Sequence, residues 1–385
     1  MNDFELSLPT RIFFGRGAIR HLGHAAAACG RSALVVYGQT SARRSGLVDE
    51  VLARLRAEGI TAEELGGVEP NPRITSARKG AELCKSRGIE LVLAIGGGSA
   101  IDCAKAVAAG AAYEGDPWDF FCGRAEVKKA LPVGAILTLA AAGSEMNGNS
   151  VMTNPATLEK RAAGSPLWRP RFSILDPSYT MSVPRAQTVN GIVDIMVHVL
   201  EQYLNLTPAV PLQDRLAEGI LLTAIENAPL VLADPHDYDA RANLMWCGSM
   251  AINGLIAAGV DEDWATHGIE HAVSAVHDIA HAAGLAVIWP RWAEYVLPAG
   301  AGKFAQYAAR VWGIEERDSL RAARAGIAAT GDFFTRLGAP ATLAQAGVVE
   351  PDLDLLARKA TAAGPIGTYR RLGFEDVREI LRRCL

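Results

Sequence analysis

Hydrophobic and polar positions follow two different rhythms along this chain. In the first half, short apolar runs rich in β-branched residues alternate with longer, alanine-rich amphipathic stretches. SALVVY at residues 32–37 reads as a buried strand ended by Gly38, LVLAIG at 91–96 as a second, and GAILTL at 134–139 as a third. Residues 47–58, 76–85 and 101–112 carry helical spacing between them. Strands separated by helices of this length predict βαβ units and a mostly parallel, Rossmann-like sheet. Past Pro184 the rhythm becomes helical throughout, over 186–203, 214–232, 239–257, 303–312, 318–337, 354–363 and 374–383. The pattern therefore predicts an α/β domain over residues 1–180 and an all-helical domain over 181–385, joined through DPSYTMSVP. With no repeat or low-complexity linker, the two are expected to pack closely and take a ligand in the cleft between them.

Composition narrows the function. The 385 residues are 50% hydrophobic and 21% charged, with a formal net charge of −4. That excludes disorder and gives no basic footprint for a nucleic-acid partner. No polybasic run supports a membrane-surface role, and no apolar stretch of about 18 residues escapes a charge or proline. The start, MNDFELSLPTR, lacks the basic and apolar regions of a signal peptide, so the expectation is a soluble cytoplasmic protein. None of the six cysteines forms a Cys-x-x-Cys pair. Histidine is uneven: of eight, His267, His271, His277 and His281 fall within fifteen residues.

Three segments at strand ends suggest a cofactor cradle. Gly96-Gly97-Gly98-Ser99 lies between a strand and a helix, where glycines admit close backbone approach and free N–H groups attract anions. Asp102 follows in the first turn, and an ordinary strand-to-helix turn is the other reading. The standard G-x-G-x-x-G fingerprint is absent. The segment from Thr138 to Glu145, with Ser144 and several small residues, forms a second loop that could close on a cofactor. Gly38, Gln39, Thr40 and Ser41 end the first strand, with Arg43 and Arg44 beyond. An acid at such a strand end would hold a ribose hydroxyl; its absence beside two arginines favours a 2′-phosphate, hence NADP(H) over NAD(H).

Two clusters suggest a metal. Asp194 and His198 are four apart in a helical pattern and share a face, with Glu201 nearby. His267, His271 and His281 form the second cluster. In one straight helix His267 and His281 would be separated by about 21 Å at about 1.5 Å per residue. Ligands about 2 Å from one ion cannot be so far apart, so a shared site requires the chain to turn between them. Asp278 is placed to cap a second helix there, and His277 falls off the shared face. Three imidazoles and a carboxylate suit Zn²⁺ or Fe²⁺ alike.

This combination resembles the iron-containing (group III) alcohol dehydrogenase family, and within it the NADPH-dependent aldehyde reductase and butanol dehydrogenase branch. The similarity rests on PTRIFFGRGA, EPNP, AIGGGSAIDCAK, AAGSE, ILDP, NGIVDIMVHVLEQY and DWATHGIEHAVSAVHDIAHAAGLAV. The resemblance implies a dehydroquinate synthase-like architecture, with an N-terminal dinucleotide domain and a helical metal domain. It implies Asp194, His198, His267 and His281 as metal ligands, and His271 beside the nicotinamide as a candidate proton relay. It places Gly97, Gly98, Ser99 and Asp102 at the pyrophosphate, Thr138 and Ser144 in the cofactor loop, and Lys160 on the cofactor. The implied reaction is hydride transfer between NADP(H) and short-chain aldehydes or primary alcohols, in a homodimer that exchanges its N-terminal strands through residues 10–14. The chain departs from the family pattern at Ala140 and Ala142, where proline and threonine are common. Met146 and Asn147 are expected to face substrate. Glycerol dehydrogenase, maleylacetate reductase and dehydroquinate synthase-type chemistries are the alternatives. A non-catalytic NADP-binding module would not need four metal ligands.

Overall fold

The fold is a computed structural model that describes residues 1–348 and 352–385. It divides into two compact units, Ser7–Val183 and Pro184–Leu385, the latter joined by Met1–Leu6. The first six residues thus belong with the helical unit, not the α/β one. The Met1 ammonium donates to Pro208 O at 2.8 Å and Asn2 N to Gly259 O at 2.9 Å.

The α/β unit contains β1 (Arg11–Phe14), β2 (Ser32–Gly38), β3 (Thr61–Val68), β4 (Leu91–Gly96), β5 (Val133–Leu137), β6 (Asn149–Asn154), β7 (Glu159–Gly164) and β8 (Phe172–Leu175). Six of these form a parallel sheet in the order β1-β8-β5-β4-β2-β3. The inner strands β2, β4 and β5 are buried almost throughout, as their continuous apolar runs require. Helices α1 (Leu47–Ala57), α2 (Ile74–Arg87) and α3 (Gly98–Ala111) cross between them. The chain moves outward from β2 to β3, returns past β2 to β4, and then moves outward to β5 and β8. The reversal point lies between β2 and β4, and ligands of such sheets bind at the strands' carboxyl ends there. Sequence patterning missed β3, because TAEELGGV is an edge strand exposed at most positions. It also missed the polar antiparallel hairpin of β6 and β7.

The helical unit holds α4 (Arg185–Tyr203), α5 (Pro211–Ala233), α6 (Tyr238–Ala251), α7 (Ala265–His277), α8 (His281–Val296), α9 (Gly302–Trp312), α10 (Ser319–Leu337), α11 (Leu353–Ala360) and α12 (Phe374–Arg383). Its core runs from Val193 and Val197 of α4 through Ile269 of α7 to Trp289 and Trp292 of α8. By length and composition α5 is apolar enough to cross a bilayer. Its Asp214 and Glu218 are buried and paired with Lys303 and Arg310 of α9. The helical pattern expected over 239–257 stops at Ala251, and the turns that follow lead into α7.

Candidate functional site

The turn demanded between His267 and His281 exists. Helix α7 ends at His277, and Asp278 adopts a left-handed conformation with φ of 52°. The chain reverses and α8 starts at His281 itself. Asp278 is therefore the C-cap of α7 and not the N-cap of α8; that position is Ala280, which offers no side-chain cap. The break brings the His267 and His281 rings to 5.1 Å between centroids.

Asp194, His267 and His281 each offer a ligand atom, and the three atoms lie within 4.8 Å of one another. His198 stands beside them. Its Nε2 is 3.1 Å from His267 Nε2, and its Nδ1 is 3.6 Å from Asp194 Oδ1. Burial pushes the His198 ionisation down to about 4, against the pull of Asp194 and with the help of His267. Its ring is thus neutral at ordinary pH, the form a metal requires. The buried His198 Nδ1 has no hydrogen-bond partner among the described residues. The His198 and His267 Nε2 atoms, 3.1 Å apart beside a carboxylate, make a donor set that fits a borderline divalent ion. The ring of Trp264, just before α7, lies 5.1 Å from His267 and 6.0 Å from His198 and walls one side.

Two buried carboxylates orient this set, and patterning did not assign either a role. Glu201, fully buried on α4, meets His267 Nδ1 with Oε2. Its Oε1 accepts from Thr266 N at 2.8 Å and from the Thr266 hydroxyl. Burial raises Glu201 to about 8 despite these bonds. Glu270, fully buried on α7, meets His281 Nδ1 with Oε2 and takes the Ser274 hydroxyl on Oε1. A Cβ at Gly284 would come within 2.8 Å of Glu270 Cγ, so the glycine makes room for it. A partner on Nδ1 directs the lone pair of each imidazole outward through Nε2. The sequence signal was present as spacing: each glutamate follows a histidine by three residues, on helices whose acids should otherwise face water. His271 lies on the same side, its ring 5.5 Å from His281 and 6.1 Å from His267. Glu270, His271 and His281 form a second close group. His277 lies at the end of α7, half-buried.

The expected cofactor residues gather in the other unit. Gly38 to Ser41, Gly97 to Ser99 and Thr138 follow the carboxyl ends of the adjacent strands β2, β4 and β5. Gly96 has φ of 156°, and Gly97 caps α3 with no side-chain bond, leaving the first-turn N–H groups to a ligand. The two loops touch: a Cβ at Gly97 would lie 3.0 Å from Leu139 Cβ, and one at Gly98 3.0 Å from Ala142 Cβ. Asp102 and Ser144 turn inward and bond each other, and Asp102 also accepts Val151 N at 2.8 Å. Lys160, on β7, donates to Asn71 at 2.9 Å. Asn147, expected to face substrate, has its side chain tied into the loop. It is buried, accepting from Lys105 at 3.0 Å and donating to Gly143 O at 3.0 Å, and Met146 is buried next to it. At the end of β2, Arg43 bonds Asp49 at 2.6 Å, Tyr37 at 3.2 Å and also Glu64, so two carboxylates offset its charge.

Residues 9–177 match the iron-containing alcohol dehydrogenase family, and residues 188–385 match its C-terminal region, described as the Fe-containing alcohol dehydrogenase family, C-terminal. The chain is 46% identical to the probable NADH-dependent butanol dehydrogenase 1 of Bacillus subtilis, over 100% of both chains. It is 41% identical to the NADPH-dependent aldehyde reductase YqhD of Escherichia coli, over 94% of each. The crystal structure of NADH-dependent butanol dehydrogenase A from Thermotoga maritima superposes with a TM-score of 0.96 at 39% identity, covering 100% of this chain and 99% of that one. With both units matched and relatives aligned from end to end, the chain belongs to the iron-containing alcohol dehydrogenase family.

Proposed function

We propose that this protein is a metal-dependent alcohol dehydrogenase or aldehyde reductase that interconverts short-chain aldehydes and primary alcohols with a nicotinamide cofactor. The convergence of Asp194, His267 and His281 within 4.8 Å, with His198 beside them, carries this reading. It is supported by relatives whose names specify butanol dehydrogenase and aldehyde reductase.

Asp194, His198, His267 and His281 would hold one divalent ion, Fe²⁺ or Zn²⁺. When bound, the ion supplies Lewis acidity to a carbonyl oxygen and the nicotinamide supplies the hydride. Glu201 and Glu270 keep the Nδ1 proton on His267 and His281, so each ring presents its Nε2 lone pair. The Trp264 ring packs edge-on against His198 and His267. His271, half-exposed beside His281, would pass a proton between solvent and the substrate oxygen. In the α/β unit, the N–H groups of Gly98 and Ser99 would receive the pyrophosphate. Thr138, Ser144 and Lys160 belong to the surrounding cofactor segments.

The finer reading is NADP(H) over NAD(H), in a homodimer. It is supported by Gln39, where a carboxylate would repel a 2′-phosphate. Arg43 and Arg44 are both exposed there; Arg43 is held by Asp49 and Glu64, which leaves Arg44 to face a phosphate. For the homodimer, β1 is an edge strand, paired with β8 on one side. The decisive experiment follows nicotinamide absorbance with NADPH and with NADH over a panel of short aldehydes. It is run before and after chelation, and again with Fe²⁺ or Zn²⁺ restored. The expected result is metal-dependent reduction with a higher kcat/KM for NADPH. No reduction with either metal refutes the activity, and a higher kcat/KM for NADH refutes the cofactor preference alone.

A further inference from the structure

Lys105 lies on α3, seven residues beyond Gly98, and is fully buried. Its Nζ donates to Ser144 Oγ at 2.7 Å, Asn147 Oδ1 at 3.0 Å and Asn149 O at 2.7 Å. An ammonium has three donors, and each has an acceptor on the segment that follows β5. The network continues into the loop. The Ser144 hydroxyl, receiving from Lys105, donates to Asp102 one turn earlier on α3. Asn147 Nδ2 donates to Gly143 O at 3.0 Å, one residue from the alanine that meets Gly98.

We propose that Lys105 is a positioning residue for dinucleotide binding: its ammonium ties residues 144–149 to α3 and so fixes the second loop against the glycine turn. This rests on the reading above that the turn and the loop hold a dinucleotide. One helix then carries the turn on its first residues and anchors the opposite wall through Lys105 and Asp102. Packing alone does not require a charge here, because a methionine would fill the same volume without the desolvation a buried ammonium suffers. Burial pushes Lys105 down to about 8. Asp102 of its own helix and Glu145 of the loop pull upward, while Arg169 pushes further down. When the proton leaves, one of the three acceptors loses its donor and the loop loses one anchor.

The test uses the full-length protein and NADH, whose lack of a 2′-phosphate removes that group's own titration. NADH binding is measured by nicotinamide fluorescence for wild type and Lys105→Met, with circular dichroism and metal content recorded alongside. The expected Kd rises at least about tenfold in Lys105→Met, with helix content and bound metal unchanged. In wild type the Kd rises as pH passes about 8, and in Lys105→Met that rise disappears. A Kd within twofold of wild type overturns the proposal, as does a flat wild-type profile between pH 6.5 and 9.5. If Lys105→Met does not fold, the wild-type profile decides. Failure of wild type to bind either NADH or NADPH instead sinks the dinucleotide reading on which the proposal stands.

Discussion

Glu270 allows the orienting role of the buried carboxylates to be measured. Its Oε2 meets His281 Nδ1, its Oε1 takes the Ser274 hydroxyl, and no part of it reaches solvent. In Glu270→Leu His281 Nδ1 loses this acceptor, and the Ser274 hydroxyl is left with Ile279 O at 3.4 Å. The His281 ring is then free to take the other tautomer, whose proton sits on Nε2 and blocks coordination. Loss of such an orienting partner weakens metal affinity about 10–100-fold, or about 1.4–2.8 kcal/mol. Glu270→Gln should fall at the mild end. Its amide oxygen can still face His281 Nδ1 while its NH₂ faces Ser274, whose hydroxyl accepts as readily as it donates. What Gln loses is the strengthening that a charged acceptor gives. The expected order of metal Kd is therefore wild type below Glu270→Gln below Glu270→Leu. Competition against a chromophoric chelator, with Zn²⁺ and with Fe²⁺ under anaerobic conditions, measures it. A Leu variant that holds metal as tightly as wild type, or a Gln variant weaker than the Leu one, would refute the tautomer argument.

The other expectations concern the second unit and the proton path. The ordinary lysine value near 10.5 falls to about 8 at Lys105, so the unfolded chain keeps a proton that the folded chain releases between those pH values. The group therefore adds stability as pH rises from about 8 to 10.5, and that contribution is lost as pH falls back through about 8. The full span is about 3 kcal/mol, so the urea stability of wild type relative to Lys105→Met should improve between pH 7 and pH 10; an unchanged difference counts against a charged, desolvated Lys105. Gly98→Val adds a branched side chain where a single Cβ would already lie 3.0 Å from Ala142 Cβ. It should raise the NADH Kd several-fold while leaving bound metal intact, and parallel loss of metal would contradict two separate binding sites. His271→Ala should lower turnover and change the pH–rate profile while metal content holds; full turnover with an unaltered profile removes His271 from the proton path.

What the sequence exposed and what it hid have separate physical origins. The inner strands were legible because β2, β4 and β5 are buried on both faces, which forces uninterrupted apolar runs. Edge strand β3 and the β6–β7 hairpin were not, since a half-solvated strand tolerates Glu63, Glu64 or Arg161. The break at Asp278 was legible for a different reason. Distance along a helix cannot be reconciled with a shared ligand, so the need for a turn followed from His267 and His281 alone. Its mechanism did not, because a left-handed aspartate C-cap and an N-cap share one residue preference and only the backbone separates them. The orienting acids were hardest to see. Nothing in a single sequence marks a glutamate inside an amphipathic helix as buried, and Glu201, Glu270 and Lys105 would each be assigned to the solvent face by composition. Their burial is set by partners distant in sequence: Glu201 by Thr266 and His267, Lys105 by Ser144, Asn147 and Asn149. Beside the three-residue spacing from a histidine, small-residue spacing is a second local trace that the acids leave. Gly284 yields its Cβ volume to Glu270, and a glycine in the first turn of a helix, where it costs about 1 kcal/mol against alanine, points to a neighbour that needs the space.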